Sequence, residues 1–194
     1  MLRALALLLF AYLLGSFSFG LLLARLCGGV DLRRSGSGSI GATNVARALG
    51  KTAGILTLLG DGAKGLIAVL CAQWWGSSAL VTAAVTIGVI LGHLFPLYYG
   101  FRGGKGVATA LGAFLPTLPF PLLGGVLVWC AVVAIWRYVS VGSLLAALVV
   151  PMLAVLRGDP LPLVLAATLV AVLVVYTHRG NIHRVWYGSE PRLW

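Results

Sequence analysis

Acidic side chains are almost missing from this sequence. Four Asp and Glu stand against 14 Lys and Arg, and charged residues of either sign fill only 9% of 194 positions. A soluble domain carries about a quarter charged residues. With 60% hydrophobic residues, the chain has too little polar surface to face water on all sides, so lipid is its expected solvent. The shortage of acid leaves a formal net charge of +10. Such a balance suits nucleic acid, anionic headgroups or small phosphorylated molecules. Nucleic acid is excluded as a partner, because the basic residues stand at the ends of apolar runs rather than on a separable domain. Cysteine is equally scarce. Cys27, Cys71 and Cys130 lie far apart with no Cys-x-x-Cys spacing, which excludes a zinc site and a disulfide framework. Metal-ligand clusters are missing, no Ser-His-Asp order stands out, and neither a metal nor a cofactor is expected.

What the chain has in abundance is long apolar runs. A spanning helix needs about 20 apolar residues, and the candidates are 2–26, 53–75, 78–99, 105–119, 121–137, 141–157 and 161–178. The run over 106–136 is divided by Pro116, Pro119 and Pro121, which favour a turn because each removes a backbone donor. The fold class is therefore an all-α integral membrane protein of about seven transmembrane helices in one domain, 1–194. The first run is too long for a secretory h-region and is expected to be a retained helix. Basic residues test the topology. With seven spans, Arg25, Arg33, Arg34, Arg47, Lys51, Arg102, Lys105, Arg137, Arg179, Arg184 and Arg192 share one side, while Arg3 and Arg157 take the other. By the positive-inside rule the N-terminus is external and the C-terminus cytoplasmic. Trp186, Tyr187 and Trp194 read as interfacial anchors. A monomer is expected from the compact size and the lack of a small-xxx-small face.

Three polar islands interrupt the apolar pattern, and this topology places all of them at the cytoplasmic face. The first runs from Ser35 through Gly36, Ser37, Gly38, Ser39 and Gly41 to Thr43 and Asn44, with Arg47 one turn on. Glycines let a backbone approach an anion, and a helix beginning near Thr43 would point its N-terminus at one. The second is Gly103-Gly104-Lys105-Gly106, preceded by Arg102. Lys105 reads as a phosphate-binding point charge. Neither this loop nor Gly50-Lys51-Thr52 completes a P-loop, because Tyr99 and Val45 stand where the leading glycine belongs. The third is His178-Arg179-Gly180-Asn181, whose His178 and Asn181 face one ligand from adjacent positions on a helix. Ser140 and Ser143 open the sixth span and offer N-terminal contacts to an anion. Asp61 and Lys64 share one helix face inside a span. Intramembrane charge is costly, and the pair serves either structure or function. His93, at the end of the third span, is open to packing or ligand contact. Together the islands imply a site for phosphorylated substrates on a membrane scaffold, either an enzyme or a transporter of a phosphorylated solute or lipid.

The same islands carry a family resemblance. Residues 37–44, the stretch from His93 through Phe95 and Pro96 to Gly106, and the stretch from His178 through Asn181 to Glu190 resemble, in order, the three cytoplasmic motifs of the bacterial acyl-phosphate:glycerol-3-phosphate acyltransferases, the PlsY family. One departure is Ser39, where the family usually has asparagine. The histidine-x4-aspartate signature of acyl-CoA-dependent glycerolipid acyltransferases is missing: the residues five past His93, His178 and His183 are Tyr98, His183 and Gly188. The resemblance implies acyl transfer from acyl-phosphate to the 1-hydroxyl of glycerol 3-phosphate, giving lysophosphatidic acid and phosphate. It implies a bacterial inner-membrane location, contact with membrane lipids, and a soluble phosphate acyltransferase, PlsX, as the source of acyl-phosphate. The expected catalytic residues are Lys105, His178, Ser143 and Asn181. The expected substrate-binding residues are Ser37, Gly38, Gly41, Thr43, Asn44, Arg47, His93, Arg102, Gly103, Gly104 and Glu190.

Overall fold

The computed structural model describes residues 1–193; Trp194, an expected interfacial anchor, lies outside them. Every regular element among the described residues is helical: α1 (Leu2–Ser16), α2 (Phe19–Leu26), α3 (Ala42–Leu49), α4 (Lys51–Trp74), α5 (Ala79–Leu94), a 3-10 turn (Leu97–Tyr99), α6 (Val107–Phe114), α7 (Pro119–Trp136), α8 (Val139–Arg157), α9 (Leu161–Thr177) and α10 (Arg179–Trp186). Two compact units divide the chain, Met1–Pro116 and Thr117–Trp194.

Length and apolarity qualify five segments as membrane spans: Leu2–Leu26, Lys51–Trp74, Ala79–Tyr99, Pro119–Trp136 and Val139–Arg157. A sixth is α9 taken with α10, which bends away by 55°. Burial confirms lipid as the solvent. On α4 the large side chains Ile55, Leu56, Leu58 and Leu59 are exposed, while Gly54, Thr57, Asp61, Lys64, Gly65 and Ala68 are buried. Small and polar residues inside with large apolar residues outside is the pattern of helices packed in a bilayer, where apolar side chains gain nothing by leaving lipid.

The expected span over 105–119 becomes α6, only eight residues long. At 1.5 Å per residue it covers about 12 Å, too little to cross the roughly 30 Å hydrocarbon core. Its depth is set by α4. A Cβ on Gly65 would strike the carbonyl of Thr109, and one on Gly112 would strike that of Gly62. The glycines thus bring the two helices to backbone contact. Further on, the Gln73 amide donates to the Pro116 carbonyl at 3.3 Å. α6 therefore runs parallel to α4 from mid-length to the far end, and the segment ahead of it enters to that depth.

The first span is also not continuous. α1 stops at Ser16, and Ser18 restarts the chain as the N-cap of α2, its hydroxyl accepting the Leu21 N–H at 3.3 Å. A break inside a bilayer leaves carbonyls without intrahelical donors. Lys64 supplies them, donating to Gly15 at 2.9 Å and Phe17 at 2.7 Å.

In the second unit, α7, α8 and α9 follow one another with short turns at Arg137–Tyr138 and Gly158–Pro160. The Leu193 N–H donates to the Arg137 carbonyl at 2.8 Å, which ties the C-terminal segment back to the α7–α8 turn.

Candidate active site

The loop between α2 and α3 is organised by one side chain. Asn44 is buried on the first turn of α3. Its Oδ1 accepts the Ser37 N–H at 2.9 Å. Its Nδ2 donates to the carbonyls of Leu32 at 3.1 Å, Ser35 at 3.0 Å and Ser39 at 2.7 Å. The amide was expected to meet substrate; the structure commits it to the loop. Gly36 and Gly38 take positive φ, +55° and +71°, which lets the chain wrap around this amide. The Gly38 N–H donates to Ser35 at 3.0 Å, and that of Gly41 to the Ser39 hydroxyl at 3.2 Å. Ser39 thus closes a local turn. Gly41 caps α3 without a side-chain bond, while Ser37 and Thr43 are half-buried and Arg47 is exposed. Asn44→Ala removes the acceptor of one backbone N–H and the donor to three carbonyls. Buried groups left unpaired cost about 1–3 kcal/mol each, so the variant is expected to melt at markedly lower temperature. Differential scanning fluorimetry in detergent measures this.

The second island is held against the end of α5. The Gly103 N–H donates to the Leu94 carbonyl at 3.0 Å and the Gly104 N–H to that of His93 at 3.1 Å. These two N–H groups were expected to face an anion; the structure spends them on the helix end. The glycines are required by closeness. A Cβ at 103 would strike the carbonyls of His93 and Leu94, and one at 104 would strike Nε2 of His93. Lys105 is half-buried between Gly104 and Gly106, and Gly106 caps α6 with φ +83°. Arg102 is exposed. The two islands are joined by a residue whose place in the sequence marks it only as a positive-inside charge. Arg33 donates through Nη2 to the carbonyls of Tyr99 and Arg102, both at 3.0 Å. Its place just ahead of the Ser/Gly stretch was the available signal.

His93 is buried and joins the intramembrane pair. Lys64 Nζ lies 2.9 Å from Asp61 Oδ1 and 2.8 Å from His93 Nδ1.

In the second unit the third island is built around Glu190. Its Oε1 accepts from Ser140 at 2.7 Å and from Asn181 at 2.6 Å, and its Oε2 accepts from Arg184 Nε at 2.8 Å. Burial raises the carboxyl pKa, but hydrogen bonds from Asn181, Ser140 and Arg184 and the Arg184 charge outweigh it and hold the group below its ordinary value. Expected as a substrate ligand, Glu190 instead braces its neighbours. Ser143 is buried on α8, its hydroxyl donating to the Val139 carbonyl at 2.9 Å. His178 is buried at the bend between α9 and α10. Its Nδ1 lies 2.8 Å from the Val174 carbonyl, so Nδ1 carries a proton and donates to that carbonyl. Among the described residues no group of three metal-ligating side chains comes together.

The family described as glycerol-3-phosphate acyltransferase matches residues 5–188. A Geobacter sulfurreducens protein named glycerol-3-phosphate acyltransferase is 49% identical over 99% of this chain and 98% of its own length. This chain belongs to the glycerol-3-phosphate acyltransferase family. An Aquifex aeolicus acyltransferase of the same name is 42% identical over 98% of this chain and 99% of its own. Among solved structures, the glycerol 3-phosphate form of PlsY, an integral membrane glycerol 3-phosphate acyltransferase, superposes with TM-score 0.94 at 43% identity, covering 98% of this chain and 95% of that one. Its lysophosphatidic acid form gives 0.90 at 42% identity. The three islands of this acyltransferase are thus the motifs that carried the resemblance, here set in a multi-pass membrane fold.

Proposed function

We propose that this acyltransferase moves a fatty acyl group from acyl-phosphate to the 1-hydroxyl of glycerol 3-phosphate at the cytoplasmic face of the bacterial inner membrane. The glycerol oxygen attacks the acyl carbonyl carbon, the bond from that carbon to the phosphate oxygen breaks, and inorganic phosphate leaves. No acyl-enzyme forms, because acyl-phosphate is already activated and phosphate leaves readily. Catalysis then rests on positioning and charge. Lys105 and Arg47 balance phosphate charge; Ser37, Thr43, Ser143, His178 and Asn181 supply donors. Asn44, Gly103, Gly104 and Glu190 act by shaping the loops that present these groups. The hydroxyl proton passes to His178 or to a substrate phosphate, and near wild-type turnover in His178→Ala would assign it to the phosphate. The substrate-bound forms named for the solved PlsY structures support glycerol 3-phosphate as acceptor and lysophosphatidic acid as product.

Seven crossings put the N-terminus outside and the C-terminus in the cytoplasm. The contact of Gln73 with Pro116 supports counting α6 as an outward crossing, and the basic residues support the orientation. A soluble phosphate acyltransferase, PlsX, supplies the acyl-phosphate, and the enzyme works as a monomer. The observation that carries the reading is the pinned, glycine-enforced loop presenting Lys105 in a chain of this family. Purified protein given palmitoyl-phosphate and glycerol 3-phosphate is expected to release phosphate only when both are present. Palmitoyl-CoA should not replace the donor. Turnover with the thioester would overturn the donor assignment.

A further inference from the structure

The buried Lys64 has more neighbours than a structural ion pair requires. Four acceptors lie within hydrogen-bond distance of its ammonium: the carbonyls of Gly15 and Phe17, Nδ1 of His93 and Oδ1 of Asp61. An ammonium has three protons. Those three protons are shared among the four acceptors, and Asp61 also balances the charge. The ammonium has no lone pair. Nδ1 of His93 must therefore accept, and the ring proton must sit on Nε2. That nitrogen points at the second island: it is the atom a Cβ on Gly104 would strike. The same histidine receives the Gly104 N–H on its own carbonyl. One chain of contacts thus runs from the break between α1 and α2, through Lys64, to both sides of the loop that presents Lys105.

We propose that Lys64 is a positioning residue of the acyltransferase: paired with Asp61, it locks His93 with its proton on Nε2 and so holds the Gly103–Gly106 loop in its substrate-binding shape. This rests on the reading of that loop as part of the glycerol 3-phosphate site. At metal sites a buried second group fixes a histidine tautomer in this way, and losing that outer partner typically costs about 10–100-fold; the same orienting logic applies to His93.

The test combines spectroscopy with kinetics. Histidine-15N-labelled wild type in detergent should show one of its three imidazoles with a bare Nδ1 and a protonated Nε2, assigned to His93 by its disappearance in His93→Gln. Asp61→Asn with Lys64→Met removes both charges together, so no unpaired ion stays buried. This double variant should lose the single tautomer and raise KM for glycerol 3-phosphate about tenfold, with little change in KM for palmitoyl-phosphate. A wild-type His93 protonated at Nδ1 overturns the proposal, and so does a double variant with altered tautomer and unchanged KM. If the double variant does not fold, the wild-type spectrum still decides the tautomer, and His93→Gln against His93→Asn decides the function. Glutamine can carry an N–H where Nε2 stood and asparagine cannot, so KM should rise less in glutamine; equal KM values overturn the proposal. Lys105→Ala, run alongside, separates the two failures. Its retaining wild-type kinetics would sink the reading of the loop as a site, whereas its loss of activity beside an unaffected double variant would sink only the role of Lys64.

Discussion

Replacing Lys105 with alanine should lower kcat/KM for glycerol 3-phosphate by about 10²–10³ while leaving the melting temperature nearly unchanged. The lysine is half-buried in a loop whose backbone is already anchored, by Gly103 on Leu94 and Gly104 on His93. The fold of the loop therefore does not hang on this side chain. Its charge does act on the chemistry in the proposed reaction, where the transferred group leaves as phosphate. A preorganised charge in a water-poor site is worth about 3–4 kcal/mol in the transition state, which is the fold-change stated. Lys105→Arg should recover only part of the activity, because a planar fork does not replace a compact ammonium between two glycines. Phosphate release under saturating palmitoyl-phosphate, with glycerol 3-phosphate varied, gives the comparison. A rate within threefold of wild type in the alanine variant would remove Lys105 from the machinery.

Glu190→Ala should act on the second unit in the opposite manner, destroying stability and activity together. One carboxylate holds Ser140, Asn181 and Arg184, which come from α8, from the first turn of α10 and from its last turn. Truncation removes the acceptor of one hydrogen bond from each of Ser140 and Asn181, both buried, at about 1–3 kcal/mol each. It also frees the segment that carries His178 and Asn181. Glu190→Gln keeps the shape but gives up the ion pair with Arg184 and places an N–H against the donors, so it should be intermediate. The same carboxylate predicts a pH dependence. Its folded pKa lies below the ordinary value of 4.5, so the folded state prefers the ionised form. The stabilisation is complete above pH 4.5 and is lost as pH falls through the lower folded value. Melting temperatures measured from pH 6 down to the acid limit should fall less steeply in Glu190→Gln than in wild type.

The membrane character and the three polar islands were legible from composition and residue type, because hydrocarbon enforces both. Apolar runs of spanning length are read directly, and polar residues between them stand out by their transfer cost. The roles inside the islands were less legible. Asn44, Gly103, Gly104 and Glu190 were expected to meet substrate, yet their polar groups are engaged within the protein. A polar side chain beside a glycine-rich loop has the same sequence signature whether it binds a ligand or shapes the loop. The helical bounds within the span expected over 105–119 were illegible for a related reason. Its apolarity is real, but only α6 is helical there, and hydropathy does not reveal where a helix starts within the bilayer.

By itself the sequence determined that this chain lives in lipid as a helical protein and which family motifs it carries. These follow from solvation of each residue and from local order along the chain. Only the tertiary structure decided who bonds to whom. Lys64 meets Gly15, Phe17 and His93 across separations of 49, 47 and 29 residues, and Arg33 reaches Tyr99 and Arg102 across 66 and 69. Partners that distant are chosen by helix packing, where glycine contacts set the depth of α6 and a break in the first span leaves carbonyls that a buried ammonium must satisfy.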